Sequence, residues 1–301
     1  MRKVLKKIRV FAFLAVSVAF LISFICLYNK NTNVNAVEEK AFLTVWQIDS
    51  FEGGKGSRAD YLQNIGNALG KEENCYINVI SVSSEAARLN LANGNVPDMI
   101  SYGAGIHGIE SYVIDHIVWC QGCYCLLTLD SNSDFTDINS ENTVVNKGKD
   151  NYTEVVALFE GLQGAKSESP TSAYVKLING EYKYLLGTQR DIFRLKTRNV
   201  TFSVKPVTVF NDLYQNISRT TNCSSNIYAQ KYIDKILSSS RDIGKIGMFV
   251  EGQNLYDDEM SVCENINYEY KLIYPINEAM KLNFEKCITL NDINMLKDLL
   301  K

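Results

Sequence analysis

The stretch that most constrains this chain runs from residue 43 to residue 70 and combines a strand, a glycine-rich loop and the start of a helix. Apolar residues recur up to Ile48 and predict the strand. The loop Gly53–Gly56 can adopt backbone conformations with positive φ. Ser57, with Asp60 three residues later, forms a capping-box signature, so we expect a helix to begin there.

Two roles fit this strand–loop–helix unit. A helix N-terminus presents backbone N–H groups to a ligand, but the same residues also form an ordinary helix-entry turn, with the helix ending at Gly70. Two nucleotide-binding motifs are excluded. Lys55 is not followed by the G-K-[ST] order of a P-loop, and the G-x-G-x-x-G pattern is absent.

Strands and helices continue to alternate after this unit. The pattern predicts a strand at 75–82, a helix at 84–93 and a strand at 97–103. Alternation at this spacing indicates βαβ units, a parallel sheet and an α/β fold. Ligands bind such sheets beyond the carboxyl ends of the strands, and Trp46 and Tyr102 lie near two of those ends.

The strand–turn–helix pattern recurs in the second half of the chain, after the regular alternation is interrupted at Trp119. Thr188 and Asp191 form another capping box after a strand that begins at Tyr182. We therefore expect two lobes, with a crossover near Trp119 and a return near Tyr182. The first lobe is assigned residues 41–115 and 175–210, and the second lobe residues 116–174 and 211–301. Further helices are predicted at 151–162, 170–180, 226–238, 276–284 and 292–300, and a strand at 200–210.

Residues 1–36 have the layout of an export signal. Five basic residues precede an uncharged apolar run at 10–27, and Val-Asn-Ala at 34–36 offers a cleavage position. The run is also nearly long enough to stay as a membrane anchor. In both cases the rest of the chain is exported, so we expect an extracellular, cell-surface or membrane-associated protein. Cys26 is a poor lipidation site because the bulky Ile25 precedes it.

The exported part is acidic. Without residues 1–36 the chain has 25 basic and 34 acidic residues, a formal net charge of −9. This balance argues against nucleic acid or an anionic lipid surface as the partner.

Eight cysteines are present, seven of them outside the apolar run. An odd number at irregular spacing is not a disulfide framework. His116, Cys120, Cys123 and Cys125 have the spacing of a soft-metal site. However, Cys123 and Cys125 are two residues apart in a predicted strand, so both can pack on one face of it as buried free thiols. A disulfide within the cluster is a third alternative. We expect no metal and no cofactor.

Four segments together resemble one protein family. They are WQIDSFEGGKGSR at 46–58, PDMISYG at 97–103, the helix-then-strand pattern A-Y-x3-I-x-G-x-Y-K-Y at 173–184, and GTQRDIFRL at 187–195. In this order, and behind an export signal, they resemble the extracellular solute-binding proteins of bacterial ABC importers, of the sugar-binding, maltodextrin-type class. The resemblance covers the chain from about residue 41 to the last helix.

This resemblance implies a monomeric, non-enzymatic protein with a two-lobed periplasmic-binding-protein-like fold. Such a protein closes on a ligand at a hinge cleft and delivers it to permease subunits in the membrane. The chain is short for the class, so the second lobe is predicted to be reduced. The implied ligand is a carbohydrate. Stacking faces would come from Trp46, Tyr102, Trp119 and Tyr124, and hydroxyl partners from Asp49, Glu52, Arg58 and Arg190.

Structural roles also fit several of these residues. Arg58 and Arg190 lie in the first turns of predicted helices, where caps and ion pairs are common, and Asp98 fits a local turn. Two other functions stay open. One is an anchored ligand-sensing or scaffold protein without transport. The other is a secreted glycan-cleaving enzyme with Asp49 and Glu52 as its carboxylates.

Overall fold

The computed structural model of this protein describes residues 41–48, 57–148, 152–223 and 227–301. Within these ranges no helix is long and apolar enough to cross a membrane. The principal helices are α1 Arg58–Glu73, α2 Ser84–Ala92, α3 Thr153–Phe159, α4 Pro170–Ile178, α5 Gln189–Thr197, α6 Ile227–Ser238, α7 Glu278–Leu290 and α8 Ile293–Leu299. The strands are β1 Phe42–Ile48, β2 Tyr76–Val82, β3 Met99–Gly103, β4 Ile117–Gln121, β5 Tyr124–Thr128, β6 Thr143–Asn146, β7 Lys166–Glu168, β8 Tyr184–Thr188, β9 Ser203–Pro206, β10 Phe210–Asn211, β11 Tyr214–Arg219 and β12 Tyr270–Lys271.

Two five-stranded sheets share one plan. The first sheet has the order β2-β1-β3-β11-β4 and the second the order β7-β6-β8-β5-β9. In the first, β1 pairs parallel with β2 and β3, and β11 runs antiparallel to β3 and β4. In the second, β6 pairs parallel with β7 and β8, and β5 runs antiparallel to β8 and β9. The predicted reduction of the second lobe therefore does not extend to its sheet.

The lobe boundaries need correction. Residues 175–210 were assigned to the first lobe, yet β8 and β9 lie in the second sheet, where Cys125 of β5 is opposite both Gly187 and Pro206. Conversely, β11 lies in the first sheet although residues from 211 onwards were assigned to the second lobe. Apolar periodicity indicates that a segment is a strand but does not name its partner strand, so the point of return was misplaced.

Helix α1 begins as the sequence predicts but ends later. The Ser57 hydroxyl accepts a hydrogen bond from the Asp60 N–H at 3.1 Å. The expected stop at Gly70 is wrong, because the helix continues to Glu73 and is capped by Asn74 with φ 52°. Gly70 instead allows the backbone of Cys75 to lie close to the helix, where the chain turns back into β2. A Cβ at position 70 would lie 2.8 Å from the carbonyl oxygen of Cys75.

Each lobe has its own apolar core. In the second lobe, Leu126 and Val145 pack on the side of α3 and α7, and Leu127 and Val144 pack on the side of α4 and α5. In the first lobe, one face of the sheet packs against α2 and the other lies towards α1 and α6. The last residues of the chain, including Phe284, pack against the second lobe.

The segment before α7 returns to touch the first lobe. Asn216 Nδ2 on β11 donates to the carbonyl oxygen of Ile273 at 2.8 Å. His107 Nε2 lies 3.3 Å from a carboxylate oxygen of Glu278. The C-terminal segment thus contacts both lobes.

Candidate functional site

Two short links join the sheets, and both leave from carboxyl edges. Strand β4 runs in the same direction as β3 because both are antiparallel to β11, so Gln121 lies at the carboxyl edge of the first sheet. Strand β5 begins at Tyr124, opposite Thr188 at the carboxyl end of β8. The link 122–123 therefore connects the two carboxyl edges, and residues 207–213, which include β10, return from β9 to β11. In sheets of this kind that edge is where ligands bind.

The two links are hydrogen-bonded to each other. Gly122 N–H donates to the Leu213 carbonyl at 2.6 Å, and Asn211 Nδ2 donates to the Gly122 carbonyl at 3.1 Å. There is no room for a side chain at Gly122, since a Cβ there would lie 2.4 Å from Gln189 Oε1. That oxygen accepts a hydrogen bond from Cys123 N–H at 3.1 Å. Gln189, at the start of α5, thereby fixes the link against the second lobe.

A buried carboxylate lies in the return link. Tyr124 donates its hydroxyl proton to Asp212 Oδ1 at 2.6 Å, and Tyr152 N–H donates to Oδ2 at 2.9 Å. Burial raises the pKa of Asp212 to about 6, against the lowering effect of these two donors. Burial, and secondarily the neighbouring carboxylate, also raises the pKa of Tyr124.

The predicted capping box of Thr188 and Asp191 is present, but it lies at the carboxyl edge of the second sheet and not in the first lobe, to which residues 175–210 were assigned. Asp191 Oδ2 accepts hydrogen bonds from Thr188 N–H at 3.1 Å and from Asn146 Nδ2 at 2.7 Å. Oδ1 faces Arg194 Nη1 at 3.3 Å. Burial raises the pKa of Asp191, although Arg194 opposes the shift.

Amide side chains occupy the carboxyl edge of the first sheet. Gln47 lies opposite Ser101, and Gln215 lies opposite Gly103. Directly opposed residues point to the same face, as do residues two apart, so these four share one face. Both glutamines are buried, and the Oε1 atom of each has no hydrogen-bond partner among the described residues. Asn146 Oδ1, at the edge of the second sheet, has none either.

The aromatic residues proposed as stacking faces are packed within the protein. Trp119 is 2% exposed and stacks on Tyr61 with ring centroids 5.7 Å apart and planes inclined by 7°. Its indole N–H donates to Ser101 Oγ at 3.2 Å. Tyr102 is buried on the opposite face of the sheet, because it neighbours Ser101 in the strand. Its hydroxyl lies 2.5 Å from His116 Nδ1.

Trp46 and Tyr124 are also placed by core contacts. Trp46 is half-buried and packs against the α2 side of the first lobe, in the core that contains Ile100. Tyr124 is fully buried, and its hydroxyl is engaged by Asp212. The structure thus does not gather the four aromatic residues on one surface.

The two predicted arginines lie at the two carboxyl edges. Arg58 is the first residue of α1, and its charge opposes the burial effect that raises the pKa of Cys120. Arg190 lies in the first turn of α5, where its charge acts on Asp191. Asp49 and Glu52, like the Gly53–Gly56 loop and residues 1–36, lie outside the described residues. Asp98 has a structural role that joins distant parts of the chain, since its Oδ2 accepts from Thr44 N–H on β1 at 2.7 Å.

The cysteines are buried. All seven in the described part of the chain are free thiols. Cys123 and Cys125 pack in one core with Cys263, consistent with the alternation in the sequence. No group of three histidine, cysteine, aspartate or glutamate side chains within that part is arranged to hold a metal ion.

Sequence reasoning did not single out Gln47, Gln189, Asp212 or Gln215. A signal existed for Gln47, which occupies an inward position in the otherwise apolar alternation of β1. Asp212 and Gln215 lie in and beside the return link, where no motif marks them. Their importance follows only from the pairing of β11 with β3.

No family model and no curated protein matches this chain. Its fold does match solved structures. The spermidine/putrescine ABC transporter substrate-binding protein PotD from Streptococcus pneumoniae matches with a TM-score of 0.58 and 9% identity, covering 85% of this chain and 100% of that one. Iron-bound HitA from Pseudomonas aeruginosa matches with a TM-score of 0.55 and 11% identity, covering 82% and 99%. A two-component system protein that mediates signal transduction matches with a TM-score of 0.58 and 13% identity, covering 83% and 100%. The chain has the two-lobed periplasmic-binding-protein-like fold.

Proposed function

We propose that this protein is the exported solute-binding component of an ABC importer. It binds a small polar solute between its lobes and delivers it to permease subunits in the membrane. The observation that carries the proposal is the hinge. Two links, hydrogen-bonded to each other, join the carboxyl edges of two sheets that have the same arrangement of parallel and antiparallel strands. Short connections of this kind suit closure of two rigid lobes around a ligand.

Polar groups at both edges support a polar solute. Gln47 and Gln215 belong to the first edge, and Asn146 and Arg190 to the second. A few placed polar groups are what orient a small ligand. A carbohydrate, as the sequence resemblance implies, is the finer part of the proposal. In the described residues it is supported by amide and guanidinium groups rather than by stacking faces.

An enzymatic role has less support. Asp191 and Asp212 are buried, and each accepts two or more hydrogen bonds from the protein itself. These hydrogen bonds give both carboxylates a structural role. A second candidate function is ligand sensing without transport, favoured by the fold likeness to a signal-transduction protein. Both functions use the same cleft.

A thermal-shift screen of the full-length protein tests the binding proposal. Sugars, amines, amino acids and oxyanions form the panel, and a true ligand at 100 times its Kd adds about 2.7 kcal/mol to the free energy of unfolding. Uptake of the radiolabelled hit by cells lacking the gene then separates the two candidates. Lost uptake supports transport. Normal uptake with an altered transcriptional response to the solute supports sensing.

A further inference from the structure

Unpaired buried oxygens are concentrated at the carboxyl edges. Among the described residues, six buried side-chain oxygens have no hydrogen-bond partner: those of Gln47, Asn146, Tyr174, Gln215, Asn216 and Gln253. Buried polar atoms are almost always paired, so each exception requires an explanation. Three of the six, on Gln47, Gln215 and Asn146, lie at the carboxyl edges of the two sheets.

The orientation of two of these amides is fixed by their nitrogen atoms. Gln47 Nε2 donates to the Ile48 carbonyl at 3.1 Å, and Asn146 Nδ2 donates to an Asp191 carboxylate oxygen at 2.7 Å. A carbonyl oxygen and an ionised carboxylate oxygen only accept, so the amide N–H groups must face them. The opposite atom in each amide is therefore an oxygen, which can accept but not donate.

Gln215 contributes a similar acceptor at the first edge. Its amide packs on Gly103, where a Cβ would lie 3.1 Å from Nε2, and its Oε1 is unpaired. Gln215 and Gln47 lie on the same face of the first sheet. Both edges thus present unpaired acceptor oxygens, in addition to the donor groups of Arg58 and Arg190.

We propose that the solute binds through its own hydrogen-bond donors, hydroxyl or amino groups, which pair with the amide oxygens of Gln47, Gln215 and Asn146. This inference rests on the proposed solute-binding function. An oxyanion brings only acceptors and would leave all three oxygens unpaired at a cost. Arg58 at the first edge and Arg190 at the second favour an anion, with Asp191 opposing Arg190, so the inference rests on the direction of the hydrogen bonds and not on charge.

The variants Gln47→Met and Gln215→Met test this assignment. Each replaces a buried amide by an apolar side chain of similar length. Removal of the unpaired buried oxygen is favourable for the free protein, and in Gln47→Met this gain offsets the loss of the hydrogen bond from Nε2 to the Ile48 carbonyl. We therefore expect an unchanged or higher Tm without ligand, together with at least a tenfold weaker affinity.

Tyr174→Phe is the matched control. It also removes an unpaired buried oxygen, but Tyr174 lies in α4, with its ring 4.9 Å from the guanidinium of Arg198 at the far end of α5. We expect an unchanged or higher Tm and an affinity within twofold of the parent protein.

Calorimetric titration of the full-length protein uses three sets of probes. Sorbitol and maltotriose represent polyols, 1,4-diaminobutane and ethanolamine represent amines, and molybdate and sulfate represent oxyanions. Binding of a polyol or an amine that weakens in both methionine variants and persists in Tyr174→Phe supports the inference, and the responding set names the donor group.

Two results overturn the inference while leaving the binding function intact. One is binding of oxyanions only. The other is binding of a polyol or amine that is unchanged in both methionine variants, which would mean that the unpaired oxygens belong to the interior of the lobes. Binding of no probe in any set contradicts both the inference and the proposed function.

Discussion

The phenol of Tyr124 donates a 2.6 Å hydrogen bond to Asp212, which joins the first residue of β5 to the link that returns to the first lobe. Both side chains are buried. The backbone N–H of Tyr152, which precedes α3, donates to the other carboxylate oxygen of Asp212. The polar pair therefore ties the hinge to the second lobe, and the protonation of its carboxyl affects stability.

Asp212→Asn should remove a pH dependence of stability. The pKa of Asp212 is about 6 in the folded protein, compared with 3.8 for an ordinary aspartate, so between these pH values the folded state holds this proton more tightly than the unfolded state does. The contribution of this group to stability is therefore highest below pH 4 and declines as the pH rises to 6. The decline amounts to about 3 kcal/mol.

Urea unfolding between pH 4 and pH 7 measures this contribution. The free energy of unfolding of the parent protein minus that of Asp212→Asn should fall by about 2.4 kcal/mol over this range, because the unfolded carboxyl is already partly ionised at pH 4. Asp234→Asn, at an exposed position on α6, is the control and should run parallel to the parent. If the free energy of unfolding of Asp212→Asn also ran parallel to that of the parent protein, the raised pKa of Asp212 would be contradicted.

Gly122→Ala should damage the hinge. The added methyl group would lie 2.4 Å from Gln189 Oε1 and would displace the acceptor of the Cys123 N–H. Overpacking of this kind costs about 1–3 kcal/mol of unfolding free energy. Gly244→Ala is the control, because its Cβ would meet Tyr256 at an ordinary 3.6 Å. Equal stability of the two variants in chemical denaturation would show that the hinge has room for the methyl group.

Trp119→Ala should lower stability rather than ligand affinity. The indole stacks on Tyr61 and donates to Ser101 inside the first lobe. Removing a buried tryptophan costs about 3–5 kcal/mol. Denaturant unfolding and ligand titration of the folded fraction separate the two effects. A stable variant with much weaker binding would return Trp119 to the cleft, as the sequence resemblance implies.

The described cysteines should resist thiol reagents in the folded protein. All seven are buried, which denies a reagent access to them. Burial also raises the pKa of Cys120, Cys123 and Cys125, whereas hydrogen bonds with Cys123 and Cys125 lower the pKa of Cys263. Reaction requires the thiolate and access to it. In a Cys26→Ser background, maleimide should label less than one thiol per molecule before urea is added and all seven afterwards. Rapid native labelling would contradict the burial.

Much of the local structure could be read from the sequence, whereas the pairing of distant strands could not. Ser57 with Asp60, and Thr188 with Asp191, mark helix starts because the caps use neighbouring residues. The return point to the first lobe was misplaced because it depends on β11 inserting between β3 and β4. Trp119 and Tyr102 illustrate the same limit, since the composition of a strand end does not say which face is covered.

The polar part of the candidate site was the least predictable. Asp212 and Gln215 acquire their positions through the return link, which no sequence motif marks. Arg58 and Arg190 could be predicted because the sequence marks helix starts that follow strand ends. The other polar residues at the same edges could be identified only from the structure.

The most direct test of the account is the distance between the lobes with and without ligand. Leu89→Cys on α2 and Val175→Cys on α4 would place fluorescent labels at exposed sites, 64% and 45% accessible, one on each lobe. Resonance energy transfer is measured in the Cys26→Ser background before and after addition of a solute that raises the Tm. Closure of the lobes about the hinge predicts a shorter distance at saturation. Saturating binding with an unchanged distance would contradict a binding protein that closes on its ligand.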